Sequence, residues 1–240
     1  MAKKLRIDKI LSNVGYGSRA EIKKYCKYGI VFVNGEMVNN PGLQVDPEND
    51  EIIFDGEKVN YREFIYIMLN KPGGYISATY DKFDPIVLDL IDSSYLVFEP
   101  FPVGRLDKDT EGLLVLTNDG QLSHRVLSPK KHVPKTYYAK VEGKVTNEDI
   151  LEFEKGVVLD DGYKTMPSKL NILKSDEISE IELTINEGKF HQVKRMFESV
   201  GKKVVYLKRL SMGNLKLDES LALGEYRELT LDEIKQMEER

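Results

Sequence analysis

The segment IVFVNGEMV, Ile30 to Val38, sets Asn34-Gly35 between two short β-type runs. Asn-Gly is the strongest short-range signal for a two-residue hairpin, because both residues accept positive φ. It forces two neighbouring antiparallel strands, which then need something to cover them. Two helical patterns precede them. Ile7, Ile10, Leu11 and Val14 recur at i, i+3, i+4 and i+7, one apolar stripe. Gly15 and Gly17 break that helix. Ser18 opens a second, with Glu21 three residues on as a capping box. Ile22 and Cys26 share its inner face, and Gly29 is its stop. The stretch PGLQVDPENDEIIFDGEKV supplies further short strands. A small helix–helix–hairpin domain is expected over residues 1–60.

The pattern restarts at FIYIMLNKPGG, so a second domain is expected over residues 61–240. Strand patterns fall at Ile65–Leu69, Leu113–Thr117, Thr136–Glu142, Ser168–Leu173, Glu180–Asn186 and Val204–Leu210. Helical patterns fall at Gly120–Leu127, Asn147–Lys155 and Phe190–Val200. Strands outnumber helices and do not alternate with them, which gives an α+β fold on a mixed, mostly antiparallel sheet.

Charge separates function classes. The net charge of -5 argues against a general polyanion binder, but the signs are segregated. Residues 1–34 hold eight Lys/Arg against two acids, and residues 35–60 hold one against seven. His124–Lys140 has five basic residues and no acid, and Asn186–Leu210 has seven against two. Local basic faces on an acidic body suit a specific site for a polyanion. The single cysteine excludes an internal disulfide and a cysteine-based metal cluster. No apolar run reaches the roughly 18 residues of a membrane span, and the charged start MAKKLRIDKILS is unlike a secretion signal. A cytoplasmic monomer is the expectation.

Three motifs carry candidate chemistry. The first is the basic set Lys3, Lys4, Arg6, Lys9, Arg19, Lys23, Lys24 and Lys27. Lys23 and Lys27 share a helix face at i, i+4, where like charges mildly repel; either an external anion or plain solvation accounts for them. The second is GRLDKDTEGLLVLTNDG, Gly104 to Gly120, five charges at the mouth of a buried strand. In an extended segment Arg105, Asp107 and Asp109 would point one way and Leu106 into the core. The third is the partner set KTYYAK and NEGKFHQVKRMF. Tyr137 and Tyr138 face opposite sides of a strand, one for the core and one free to stack on a base. Val193 and Met196 are buried positions, so Lys194 or Arg195 can reach back over the sheet. His191 reads as structural, and no second ligand stands at metal spacing, so no metal is expected.

Residues 3–60 resemble the RNA-binding domain named after small-subunit ribosomal protein four, through Arg6-Ile7-Asp8-Lys9, Ser18-Arg19 and the Asn34-Gly35 hairpin. Nearly the whole chain resembles the RsuA-type pseudouridine synthases. Gly104-Arg105-Leu106-Asp107, the run Thr110–Gly120, Lys135-Thr136-Tyr137 and His191–Met196 carry that resemblance, and KPGGYIS at 71–77 fits the start of the catalytic domain. The resemblance implies isomerisation of a uridine in RNA to pseudouridine, without a cofactor. It implies Asp107 as the catalytic carboxylate, acting as nucleophile or as a base on the sugar. Lys194 is its implied basic partner, with Arg195 the second candidate, and Tyr137 stacks on the uracil. Arg105 flips the nucleotide or holds a phosphate, while Asp109 and Glu111 structure the loop. Arg6, Lys9, Arg19, Lys23 and Lys27 would contact RNA phosphates. The C-terminal third looks most like the branch acting on 16S rRNA, with no basic tail after LTLDEI. The substrate is then 16S rRNA, free or in a small-subunit assembly intermediate. The rivals are the same reaction on 23S rRNA and a non-catalytic rRNA-binding assembly factor.

Overall fold

A computed structural model describes residues 4–239. Lys3, one of the basic residues of the N-terminal set, lies outside the described residues. The described chain divides into two compact units, one running to Ile65 and including Ser93–Glu99, the other comprising Tyr66–Asp92 and the chain from Pro100 onward.

In the first unit, helices Ile7–Asn13 and Arg19–Tyr28 lie over short antiparallel strands. Ser18 Oγ accepts from the Glu21 amide, and the Glu21 carboxylate accepts from the Ser18 amide at 2.8 Å. This reciprocal cap satisfies two amides that a helix start otherwise orphans. The strands pair in the order Glu36–Met37, Val31–Val33, Ile52–Phe54, Glu57–Lys58. Asn34 and Gly35 have φ of 51° and 82°, the geometry that the hairpin signal requires. Asn34 Oδ1 also accepts from the Glu51 amide at 2.8 Å, tying the hairpin to the next strand. Ile7, Ile10, Leu11, Ile22, Cys26 and Ile52 form the core. The apolar face that the spacing defines is thus the one packed inward, and the cations are left outside.

The second unit is built on one mixed sheet. Its strands run in the order Lys169–Lys174, Ile178–Ile185, Lys135–Glu142, Lys203–Met212, Glu111–Thr117, Tyr66–Lys71, Tyr226–Glu228. Every neighbouring pair along it is antiparallel except Lys203–Met212 with Glu111–Thr117. Glu111–Thr117 and Tyr66–Lys71 are buried along almost their whole length on both faces, as their unbroken apolar runs demand. Helices Gly120–Leu127 and Asn147–Lys155 have the bounds that the periodicity gives. The third helix is shorter than the Phe190–Val200 pattern, running Gln192–Ser199. His191 sits at φ 48°, left-handed backbone that a helix cannot contain, so the helix can only begin after it.

One row across the sheet sets the positions of four residues at once. Lys71 pairs with Gly112, Gly112 with Arg209, and Arg209 with Tyr137. At Gly112, φ is +98°, and a Cβ would stand 2.3 Å from the Arg209 carbonyl oxygen. The single parallel junction in the row is therefore closed only because residue 112 has no side chain.

Candidate active site

Residues 104–110 leave the sheet as a loop pinned from several sides. Leu106 is buried, and its amide and carbonyl both bond Ser77 Oγ at 3.0 Å. Next, the Thr110 amide donates to the Asp107 carbonyl at 3.1 Å, closing a turn over Asp107–Thr110. Lys71, at the end of its strand and with no exposed surface, seals that turn. Its Nζ donates to the carbonyls of Thr110 at 2.8 Å, Pro72 at 3.0 Å and Asp107 at 3.1 Å. Burial pushes the Lys71 ammonium down to about 8, against the pull of Asp109, Asp107 and Glu111.

The turn corrects the expectation of an alternating, extended 105–109 segment. Asp107 and Asp109 still meet, because the chain folds back and both reach Lys194. Lys194 Nζ is 3.2 Å from Asp107 Oδ2 and donates to Asp109 Oδ1 at 2.7 Å and Oδ2 at 2.9 Å. Partial desolvation by the surrounding loop opposes ionisation of the largely exposed Asp109, but the Lys194 hydrogen bond and charge outweigh it and hold the carboxyl below its ordinary value. Burial likewise works against the Lys194 charge, and Asp109 and Asp107 more than reverse it. Lys194 is fixed by its helix, whose Val193, Met196 and Phe197 are buried, Phe197 against Phe153 with ring centroids 5.0 Å apart.

Asp107 opens onto a cleft of about 680 Å³. That lies inside the roughly 300–1,000 Å³ range of small-molecule sites. Tyr137, only 9% exposed, lines it together with Arg105, Lys135, His191 and Arg209. Tyr138 points to the other face, donates to Glu180 at 2.6 Å and meets Tyr206 edge-on. Burial, followed by that carboxylate, raises its phenol to about 12.

Residues 65–199 match the family described as RNA pseudouridylate synthase. The chain belongs to that family. Residues 5–52 match the S4 domain. An uncharacterized RNA pseudouridine synthase of Bacillus subtilis is 54% identical over 98% of this chain and 99% of its own. A Yersinia pestis relative named ribosomal small subunit pseudouridine synthase A is 40% identical, over 96% and 97%. A Bacillus subtilis relative named ribosomal large subunit pseudouridine synthase B is also 40% identical, over 97% and 95%. A crystal structure of a pseudouridylate synthase superposes with a TM-score of 0.68 at 40% identity, covering 97% of this chain and 99% of that one. The chain is thus an RNA pseudouridine synthase, an S4 domain followed by a synthase domain on a mixed sheet. That sets aside the reading as a non-catalytic assembly factor.

Of the residues singled out from the sequence, Arg105, Asp107, Tyr137 and Lys194 come together around the cleft. Arg195 does not join them: its guanidinium pairs with Asp160 and Asp161. In the S4 unit, Arg6 donates to Asp8 at 2.7 and 3.1 Å. That bond is the main reason the Asp8 carboxyl lies below its usual range. Arg19, Lys23 and Lys27 are exposed and Lys9 is half-buried. Four residues escaped sequence reasoning as parts of the site. His191, read as structural, has Nε2 3.6 Å from Asp107 Oδ1 and stacks on Phe190 at 3.7 Å. Lys71, Lys135 and Arg209 are cations buried at strand positions, where periodicity leads one to expect apolar side chains. The only sequence signal for them was their place inside the motifs KPGG and KTY and the basic block ending at Leu210. Among the described residues, no group of three or more His, Cys, Asp or Glu is arranged to hold a metal ion, and no helix is long and apolar enough to cross a membrane.

Proposed function

We propose that the enzyme converts one uridine of 16S rRNA, free or in a small-subunit assembly intermediate, acting as a cytoplasmic monomer. In this reading residues 1–60 anchor the RNA and residues 61–240 do the chemistry. The observation that carries the catalytic assignment is Asp107, held 3.2 Å from Lys194 at a cleft that Tyr137 lines. A uridine reaches such a cleft only when unstacked from its neighbours, at a cost of a few kcal/mol, about what base flipping demands elsewhere. Arg105 at the mouth holds the strand while the nucleotide is turned out, and Arg6, Lys9, Arg19, Lys23, Lys27 and Arg195 are candidate phosphate contacts.

The C1′–N1 bond then breaks with its electron pair going to the uracil. Asp107 meets the positive character at the sugar, either by bonding to C1′ or by taking a sugar proton. The Lys194 ammonium, 3.2 Å away, keeps the carboxylate aimed. The uracil turns while held against Tyr137, and C5 bonds to C1′ as the Asp107 oxygen leaves that carbon or, on the other route, as Asp107 returns the sugar proton. The proton lost from C5 is balanced by one gained at N1, so the product is an isomer and no co-reactant is consumed.

Relatives named for the small subunit support 16S rRNA, and so does the C-terminal third. The large-subunit relative at equal identity favours a second reading, the same reaction on 23S rRNA. Pseudouridine mapping of both rRNAs in a deletion strain separates them. One site lost from 16S rRNA is the expected result; a site lost from 23S rRNA instead would overturn the substrate assignment.

A further inference from the structure

The cleft has a positively charged floor to which the scheme built on Asp107 and Lys194 gives no task. Lys135 and Tyr137 are two residues apart on one strand and share a face; Arg209 is the cross-strand neighbour of Tyr137. Lys135 is 9% exposed and Arg209 2%, and both line the cleft. Neither meets a carboxylate among the described residues. Lys135 Nζ donates to the Val133 carbonyl at 2.7 Å, and Arg209 Nε to the Leu113 carbonyl at 2.8 Å. The Arg209 Nη2 is fully buried and finds no hydrogen-bond partner among the described residues. The acids of the cleft are committed elsewhere: Asp107 to Lys194, and Glu187 to Tyr163 Oη, the Met166 amide and Gln192 Nε2.

Two buried cations without a counter-charge are expensive, since each has lost its water and neighbouring like charge adds to the cost. Burial and the Arg209 charge accordingly push the Lys135 ammonium down to about 8. The Arg209 Nε alone would brace the parallel strand pair. The rest of its guanidinium, and a lysine beside it, answer to no structural need that the surroundings reveal. What such a floor lacks is a transient anion.

We propose that Lys135 and Arg209 form an anion subsite that takes up the negative charge of the detached uracil ring. Resting on the pseudouridine synthase reading, it gives that site a second electrostatic pole. When the C1′–N1 bond breaks, the electron pair spreads over N1, O2 and O4 of the ring. Asp107 and Lys194 face the sugar, while Lys135 and Arg209 face the departing base. Because the charge they serve exists only after bond breaking, they favour that stage over bound uridine. Being arranged around a rotating ring rather than one atom, they can also hold the anion while C5 replaces N1. A backbone phosphate is the other anion available. It carries its charge throughout, and it would have to follow the ribose to the deepest part of the cleft. The planar base fits that depth better.

The test uses the full-length enzyme with whichever of a 16S and a 23S transcript wild type modifies, comparing wild type, Lys135→Met and Arg209→Lys by single-turnover pseudouridine formation and RNA affinity, with folding followed by thermal melting. The expected result is a rate about 100-fold lower, the usual scale for losing one preorganised charge-stabilising donor, with RNA affinity retained. An affinity loss with the saturated rate preserved would assign the floor to a phosphate and overturn the proposal, as would a folded Lys135→Met variant with the wild-type rate. Titration of wild type with 5-nitrouracil, whose nitro group leaves the ring ionised at neutral pH, and with uracil, which is neutral there, keeps the question open to test even if both variants misfold. Preference for the anionic ring supports the subsite, and equal binding refutes it. If wild type forms no pseudouridine in either rRNA, the underlying reading fails instead.

Discussion

The exposed cations of the S4 unit and the buried or paired cations of the synthase unit are the same residue types used in opposite ways. Lys23 and Lys27 stand exposed on one helix face, and neither forms an ion pair among the described residues. Lys71, Lys135 and Arg209 are buried and bonded to carbonyls, and Lys194 is clamped between two carboxylates. Exposed charges are screened by salt and individually weak. They act as a group on a ligand with many charges. Buried charges are costly to keep, resist screening and act at one point. Under the proposed function the comparison separates gripping RNA from changing it, and each arm of it can be broken.

The largest effect is expected at the carboxylate. Asp107→Asn should lower single-turnover pseudouridine formation by on the order of 10⁴-fold or more, while RNA affinity measured by filter binding stays near wild type. Turnover at the wild-type rate would remove Asp107 from the reaction. Next comes its partner. Lys194→Met should cost about 100-fold in rate. It should also let the Asp109 carboxyl titrate higher, because the hydrogen bond and charge that hold it down are gone. Arg195→Met, which removes the pairs with Asp160 and Asp161 and no contact to Asp107, should leave the rate at saturating RNA near wild type.

Lys71 gives a prediction in pH. Its folded value of about 8 lies below the ordinary 10.5. Between those values the unfolded chain holds a proton that the folded chain has released, so stability rises with pH across that window. Below pH 8 the cost of the buried ammonium is fully present. Lys135, also lowered to about 8, adds its own share. Urea unfolding of Lys71→Met should therefore show a shallower rise between pH 8 and 10.5 than wild type, smaller by up to about 3 kcal/mol. An identical slope would mean that the Lys71 ammonium is not penalised by burial. The smallest effect belongs to the surface. Lys23→Gln with Lys27→Gln should weaken RNA binding and reduce the slope of log affinity against log salt by about 0.7–0.9 for each phosphate no longer neutralised. The rate at saturating RNA should not change. If that rate falls, the division between the two sets of cations is wrong.

What the sequence revealed divides along similar lines. Local codes were legible: the Ser18–Glu21 cap, the Asn34-Gly35 turn and helix Gly120–Leu127 depend on residues a few positions apart. The boundary at Gln192 was missed because His191 adopts backbone that residue type alone does not announce. The alternating reading of 105–109 missed the turn because a lysine more than thirty positions earlier closes it. Helix spacing left Lys194 and Arg195 equivalent. Their difference comes from what stands opposite, Asp107 for one and Asp160 with Asp161 for the other. The floor of the cleft was illegible for a similar reason, since the pairing of Arg209 with Gly112 joins strands almost a hundred residues apart.

That pairing gives Gly112 a reach out of proportion to its size. It has no part in the chemistry, yet Lys71 is registered on one side of it and Arg209 on the other. The loop bearing Asp107 and the cationic floor of the cleft are thus measured from a common mark, like two jaws of a vice cut from one block. A single added methyl group would shift that mark and open the gap between the jaws, and in the proposed scheme would detune sugar and base chemistry together without altering one functional group.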